Sequence, residues 1–536
     1  MTRGADVVAR VLADAGLDTL FAMSGNQLMP LFDAFVDTGP RLVHVRHEAA
    51  AVHMADAFAR MTGGPGVALV PAGPGFANAL SALYTARQSD SALLLISALA
   101  PLAQTGKGAF QEMRQAEIAG HFTKWSATVN SADDLAVMTQ RGLAMACEGR
   151  PGPVHLAIPS DVLAAAAPSA RIGDAASSEE PPDAADMASL ADALRTASRP
   201  LILAGPVFGQ PGGSFDIAAA ERRLEVPIVL MESPRGLADP SAGVVSGLVS
   251  EADLIVLAGK RADYGIGFGG PFASTAGFVV VDGDRAMLEL AETNLGARLQ
   301  MALACEPRTV LHALTTRFDR PIDAGDWMRR VREAAAYRPA DWREAGDGEA
   351  GVHPARIGYA IQPFLDQHPD TVVVCDGGEF GQWVQACLTS RRRIINGPAG
   401  AIGGGLPFAI GAKLADPKAT VIAFMGDGTA GFHLAEFETA ARCGTPFVAV
   451  IGNDARWNAE HQIQLRDYGA DRLHGCSLTP ARYDEAARAL GCHGEHVERA
   501  AQLDPALRRS LASGRPACIN VKLQGRAAPV IQRPGV

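Results

Sequence analysis

Two stretches decide how this chain folds: Thr420-Val-Ile-Ala-Phe-Met-Gly-Asp-Gly-Thr429, and Pro446-Phe-Val-Ala-Val-Ile-Gly-Asn453 a little further on. Each is a short run of β-branched and apolar residues that ends abruptly in glycine and a polar residue. Strands buried on both faces read this way, as continuous apolar runs without alternation. The intervening HLAEFETAARCG has helical composition, so the pair reads as strand–helix–strand with a parallel crossover. Asp427 and Asn453, 26 positions apart, then stand at the carboxyl ends of two strands. A carboxylate and an amide oxygen so placed can converge on one hard cation, while the flanking glycines let backbone N–H groups approach phosphate oxygens. A lone GDG is a common strand-to-helix turn; the two-strand arrangement is much more specific.

The same style runs outward in both directions. GVALVPAGPG (66–75) leads into FANALSALYTARQ, and the N-terminal MTRGADVVARVLADAGLDTLFAMSG reads as an amphipathic helix followed by a strand. Two stretches look like joints: 164–187, rich in Ala, Ser, Pro and acids, and 317–352, charged and carrying Trp, which reads as a helical connector rather than core. They divide the chain into an N-terminal domain of residues 1–165, a middle domain of 186–320 and a C-terminal domain of 353–528. All three are expected to be α/β, doubly wound on parallel sheets. The first and third share one strand–turn–helix style, which hints at duplication.

At 536 residues, several domains are needed. The net charge of −10 argues against non-specific nucleic-acid binding or docking on an anionic membrane. The eight cysteines show no metal-ligand spacing and fit reduced thiols in a cytoplasmic protein. There is no secretory h-region, and no apolar run of membrane-spanning length.

The GDG-to-Asn pattern resembles the cofactor motif of the thiamine-diphosphate enzymes, which runs from GDG through about thirty residues to a pair of asparagines. The resemblance implies that Asp427, Asn453 and the carbonyl of Ala455 bind Mg²⁺, with Gly426, Gly428 and Thr429 against the diphosphate. Gly452 departs from the pattern, standing where the first asparagine is usual. Glu48, in HVRHEAAAVHMADAFAR, has a helix-start carboxylate as its plain reading. By resemblance it is the glutamate that reaches across a subunit interface to N1′ of the aminopyrimidine and favours ionisation at the thiazolium C2. VPAGPGFANAL, with Gly73 and Asn78, follows as in acetolactate synthases and benzaldehyde lyase. The loop from Gly397 to Pro407 would wrap the aminopyrimidine, with Gly400 in its turn and Ile402 as the wedge that bends the cofactor. Glu379 and Phe380, after the strand TVVVC, would supply a further turn on the phosphate side. The resemblance spans nearly the whole chain, through GRPGPVHLAIPSDV (149–162) to GRPACINVKL (514–523). It implies pyrimidine-binding, middle and diphosphate-binding domains, in a homodimer or homotetramer with sites between subunits.

For the substrate, position suggests a pocket of Asn26, Gln27, Phe110, Trp457 and Asn458, with Gln111, Glu460 and His461 as further catalytic candidates. A solvated helix face is the plain reading of the last two. No His-His pair occupies the 105–115 loop, which disfavours simple pyruvate decarboxylation, and Ser160 replaces the lysine of many acetolactate synthases. The sequences flanking Glu48 and the RPACINV ending look closest to benzaldehyde lyase. The expected activity is therefore a C–C lyase or carboligase acting on a 2-hydroxy ketone or a 2-hydroxyacyl-CoA. The alternatives are an acetolactate-synthase-like carboligase of 2-oxo acids, and a catalytically silent cofactor-binding scaffold. The C-terminal tail, with its two arginines, offers a cover for an anionic ligand such as CoA. ILAGPVFGQPGG in the middle domain is too generic to decide between ADP, FAD and nothing.

Overall fold

A computed structural model describes residues 2–168, 182–213, 215–317 and 325–531. Three parallel sheets form in chain order. The first is built from β1 (Thr19–Ala22), β2 (Arg41–His44), β3 (Gly66–Val70), β4 (Leu93–Leu99), β5 (Trp125–Thr128) and β6 (Pro153–Pro159). The second holds β7 (Pro200–Ala204), β8 (Ile228–Leu230), β9 (Leu254–Ala258), β10 (Gly277–Val281) and β11 (Leu299–Leu303). The third holds β12 (Val372–Cys375), β13 (Arg392–Ile395), β14 (Val421–Gly426), β15 (Val448–Asn453), β16 (His493–Val497) and β17 (Ala517–Lys522). The first sheet is ordered β2-β1-β3-β4-β6-β5 and the third β13-β12-β14-β15-β17-β16. Counted from the start of each domain the two orders are identical, so the suspected duplication is real at the level of topology. The middle sheet is ordered β11-β10-β9-β7-β8.

The first and third domains share one core. The helix Glu48–Thr62 (EAAAVHMADAFARMT) is buried from Glu48 to Met61, because it lies between its own sheet and the helix Gly405–Ala415 of the third domain. A helix apolar all round has no solvent face to offer, and this one is packed on every side. The crossing is close: a β-carbon at Gly411 would stand 2.3 Å from the Met54 carbonyl oxygen. The charged pair at this junction is satisfied, whereas His53 Nδ1 is buried without a hydrogen-bond partner among the described residues. Arg60 meets Asp56 at 2.7 Å and gives its remaining nitrogen to the Ile395 carbonyl at 2.7 Å. The middle domain is fastened to the first by the buried Arg150, which bonds Asp90 (Nε–Oδ1 2.8 Å) and Asp282. It is fastened to the third by Arg393 on Glu232 at 2.5 Å.

The stretch 317–352 is corrected by the structure. Its helix Gly325–Ala336 is core rather than connector: Trp327, Met328, Val331 and Ala334 pack into the middle domain, and Trp327 Nε1 donates to the Pro200 carbonyl at 2.8 Å. Its charges lie on the outer face, which is why composition alone made it look solvated. Most of the joint at 164–187 lies outside the described residues, as does Arg533 of the tail. Of the rest of the tail, residues 526–528 lie over the third domain, where Asn458 and Trp383 donate to the carbonyls of Arg526 and Ala527 at 2.7 and 2.8 Å. All eight cysteines are unpaired, and no helix among the described residues is long and apolar enough to cross a membrane.

Candidate active site

In the third sheet the chain leaves β12 for β13 on one side and then returns to β14 on the other. The carboxyl ends of β12 and β14 therefore form the switch point at which open parallel sheets bind ligands. A cavity of about 230 Å³ opens there, closed from above by Pro234 and Arg235 of the middle domain. It is lined by Glu379, Phe380, Gly400, Ile402, Gly426, Asp427, Gly428 and Thr429, and on its far side by Trp457, Asn458 and Glu460. These residues come from four separate segments of the chain. Their convergence was expected from the motif positions.

At two of the cavity's glycines nothing larger fits. A β-carbon at Gly428 would be 2.7 Å from the Trp457 ring, and one at Gly452 would be 2.7 Å from the Phe380 ring. Asp376, at the end of β12, holds the loop that carries Ile402. Its carboxylate is fully buried and accepts from the N–H groups of Gly377 (2.7 Å), Gly403 (3.1 Å) and Gly405 (2.7 Å). Burial nonetheless pushes its pKa up to about 6.

The cation-side residues need one correction. Asn453 and Ala455 do not line the cavity; Asp454 and Arg456 do. The reason is strand alternation, which sends successive side chains to opposite faces. Gly452 faces the cleft, so Asp454 faces it too, and Asn453 faces away. The Asn453 carboxamide is spent elsewhere, donating to Ala481 O (2.8 Å) and Asn520 Oδ1 (3.2 Å) and accepting from Ala455 N–H (3.2 Å). The Ala455 carbonyl is likewise taken, by the Leu478 N–H at 2.7 Å. Asn453-Asp454 thus occupies the two positions of the family's asparagine pair, and the departure from the pattern is an aspartate in the second position.

Asp427 and Asp454 lie side by side. Burial and, for Asp454, the charge of its neighbour raise both carboxyls above the ordinary aspartate range; Arg456 moderates Asp454. Asp427 Oδ2 is buried and finds no hydrogen-bond partner among the described residues. Two crowded carboxylates with an orphaned oxygen, in a glycine-lined cleft, fit a divalent cation holding a diphosphate. At the mouth, Glu379 is raised by burial and countered by Arg235, whose guanidinium lies 2.9 Å away. His461 does not line the cavity; its pKa is lowered, first by burial and then by Arg456.

The remaining candidates form a second cluster, in the first domain, and none of them lines this cavity. Glu48 is 8% exposed and accepts from Asn78 Nδ2 at 2.9 Å. Gln27 Nε2 donates to Gln111 Oε1 at 2.8 Å, and Gly73 lies against Gln111. Phe110 is 72% exposed and Asn26 is also exposed, so neither is enclosed in a pocket within one chain. Sequence reasoning placed Asp376 in a phosphate-side turn and Asp454 and Arg456 in a candidate pocket segment (453–464) without giving them a role of their own, and it missed Arg235. Counting alternation on from Gly452 would have found Asp454; nothing in the sequence marks Arg235.

The fold and the cleft define an α/β protein with an acidic, glycine-lined cleft at a parallel-sheet switch point, of a kind that fits a cation-held diphosphate. The models of the thiamine pyrophosphate enzyme N-terminal and C-terminal TPP-binding domains match residues 2–118 and 376–521. A Mycobacterium tuberculosis protein named acetolactate synthase large subunit IlvG is 31% identical over 530 residues, covering 96% of this chain and 94% of that one. Proteins named 2-hydroxyacyl-CoA lyase 2 are 30% identical in Bos taurus (92% of this chain, 85% of that one) and 28% in Homo sapiens (97% and 89%). The chain belongs to the thiamine pyrophosphate enzymes, a family of C–C lyases and carboligases.

Proposed function

We propose that this enzyme breaks or forms a carbon–carbon bond next to a carbonyl in a 2-hydroxy ketone or 2-hydroxyacyl-CoA thioester, with Mg²⁺ holding the diphosphate. When bound, thiamine diphosphate supplies the electron sink that such a bond cleavage requires. The observation that carries the reading is the pairing of Asp427 with Asp454 at the β12/β14 switch point, with Asp427 Oδ2 buried and without a hydrogen-bond partner among the described residues. In this reading Asp427, Asp454 and the Arg456 carbonyl hold the cation, Gly426, Gly428 and Thr429 face the diphosphate, and Ile402 sets the bend of the cofactor.

Glu48 and Asn78 face the aminopyrimidine of a second subunit. The separation of their cluster from the cleft within one chain supports a homodimer or larger assembly with shared sites. Gln27, Gln111, Trp457, Asn458 and Glu460 then surround the reacting carbon, and Glu460 is positioned to move a proton there. The lyase relatives favour the thioester; the acetolactate synthase relative, matched over 96% of this chain, favours a second reading as a carboligase of 2-oxo acids.

Purified protein with thiamine diphosphate and Mg²⁺, given acetoin or benzoin, a 2-hydroxyacyl-CoA, and pyruvate in parallel, separates the two. Aldehyde release from the ketone or thioester, with pyruvate untouched, is the expected result. CO₂ and acetolactate from pyruvate would replace it with the second reading. Glu48→Gln should retain cofactor and lose most turnover; wild-type turnover would remove Glu48 from the chemistry.

A further inference from the structure

Beneath the turn Gly73-Pro74-Gly75 runs a buried chain of hydrogen bonds whose members lie outside the cation cleft. Gly73 adopts φ +58 and ψ −109, and a β-carbon there would meet the Gln111 carbonyl oxygen at 2.9 Å. The turn is therefore open to glycine alone. The Gly73 N–H donates to Gln115 Oε1 at 2.7 Å. Gln115, 1% exposed, passes its own N–H groups to Ser97 Oγ (2.5 Å) and the Ala98 carbonyl (3.0 Å). Ser97 Oγ lies 2.7 Å from His155 Nε2, and His155 Nδ1 lies 2.8 Å from Ser126 Oγ.

Burial lowers the His155 pKa to about 3, so the ring is neutral and one nitrogen carries the proton. Ser97 Oγ accepts from Gln115, and either neutral tautomer of His155 completes the chain, with one ring nitrogen donating to a serine and the other accepting from one. Every buried polar group along it has a partner.

The helix that starts at this turn carries the residues that meet Glu48. A β-carbon at Gly75 would stand 3.0 Å from Glu48 Oε1, and Asn78, four residues into the helix Pro74–Gln88, donates to Oε2. The carboxyl thus accepts from Asn78 and has Gly75 close against its other oxygen, both on a helix whose entry is pinned at Gly73.

We infer that Gln115, oriented by Ser97, His155 and Ser126, is a positioning residue for Glu48. It fixes the Gly73 turn and so the placement of Gly75 and Asn78 against the carboxyl. This rests on the reading of Glu48 given above.

Gln115→Met keeps length and burial but removes the acceptor; Gln115→Glu restores an acceptor for Gly73. In the cofactor-free oligomer, deuterium uptake by the peptide spanning 66–80 should rise in Gln115→Met and return toward wild type in Gln115→Glu. Cofactor affinity, read by tryptophan fluorescence, should stay as in wild type. Deuterium exchange at C2 of bound thiamine diphosphate should slow by roughly ten- to hundredfold in Gln115→Met, the scale seen when outer-shell partners of an active group are removed, and recover in Gln115→Glu. Wild-type C2 exchange in Gln115→Met, with the Gly73 peptide opened, would overturn the inference. If Gln115→Met does not fold, Ser97→Ala serves: slower C2 exchange at unchanged affinity supports the inference, and wild-type exchange overturns it. Glu48→Gln, measured alongside, separates the two claims. Normal C2 exchange in that variant means the Glu48 reading has failed, whereas slow exchange there with wild-type Gln115→Met leaves only the positioning claim refuted.

Discussion

Alanine at Asn453 and alanine at Asp454 should give opposite signatures, because adjacent residues of one strand end face opposite ways. Asn453→Ala strips Asn520 Oδ1 and the Ala455 N–H of a partner. Ala455 is also held at φ +55, a left-handed conformation that its bond to Asn453 helps to maintain. Two orphaned polar groups, at about 1–3 kcal/mol each, put the cost at roughly 2–6 kcal/mol. For a domain of this size that lowers the melting temperature by about 4–24 °C. Retention of thiamine diphosphate by Mg²⁺ should survive, since the cleft-facing carboxylates are untouched. Asp454→Ala relieves a crowded buried charge, so the cofactor-free protein should melt no lower than wild type at neutral pH. It should nevertheless lose Mg²⁺-dependent retention of the cofactor. Thermal melts of cofactor-free protein and a fluorescence titration with thiamine diphosphate, with and without Mg²⁺, read both effects. Loss of retention in Asn453→Ala with an unchanged melt, or full retention in Asp454→Ala, would refute the assignment.

The pH dependence follows from the same carboxyls. Asp376, raised to about 6, and the Asp427–Asp454 pair all stand above the ordinary 3.8. A raised acid contributes stability that is complete below 3.8 and is lost as the pH climbs through its folded value. The cofactor-free protein should therefore weaken toward neutrality, and Mg²⁺ with thiamine diphosphate should offset the loss at Asp427 and Asp454. The rise in melting temperature on adding both should grow from about pH 5.5 to about pH 8; a flat or falling increment contradicts it. Gly428→Ala sets a methyl 2.7 Å from the Trp457 ring, where ordinary contact is nearer 3.5–4.0 Å. The helical backbone there accepts alanine, so the cost, about 1–3 kcal/mol, falls on displacing the ring. Cofactor affinity should drop by roughly tenfold or more on that scale, and unchanged binding would show that Trp457 is not held there.

Most of the architecture was legible because parallel strands buried on both faces leave unmistakable apolar runs. Glycine endings such as Gly426 and Gly452 then mark where ligands approach. What misled was local. The asparagine pair was placed one residue early because Gly452 was counted as its first member. A strand end alternates faces, so an error of one residue turns a cleft-facing side chain into a structural one. Trp327 was placed in a connector because the charges around it outweighed its period. The Arg235 contribution crosses from one domain to another, and no spacing along the chain encodes a contact of that kind. The two clusters, around Glu48 and around Asp427, were each visible as motifs. Their separation within one chain was visible only in three dimensions.

The core shared by the helices Glu48–Thr62 and Gly405–Ala415 has a consequence for synthesis. The apolar face that meets Gly411 leaves the ribosome roughly 350 residues before its partner, an interval of some 20–70 s at common elongation rates. Through that interval the middle domain, with its own two apolar clusters, can complete itself. The first domain cannot: its central helix, buried throughout its length in the finished protein, still has one side bare, and the guanidinium of Arg60 has yet to meet the Ile395 carbonyl. The nascent chain thus carries an early sticky surface that only late translation quenches, which makes this helix the segment a holding chaperone would bind and the place where premature termination would produce aggregation.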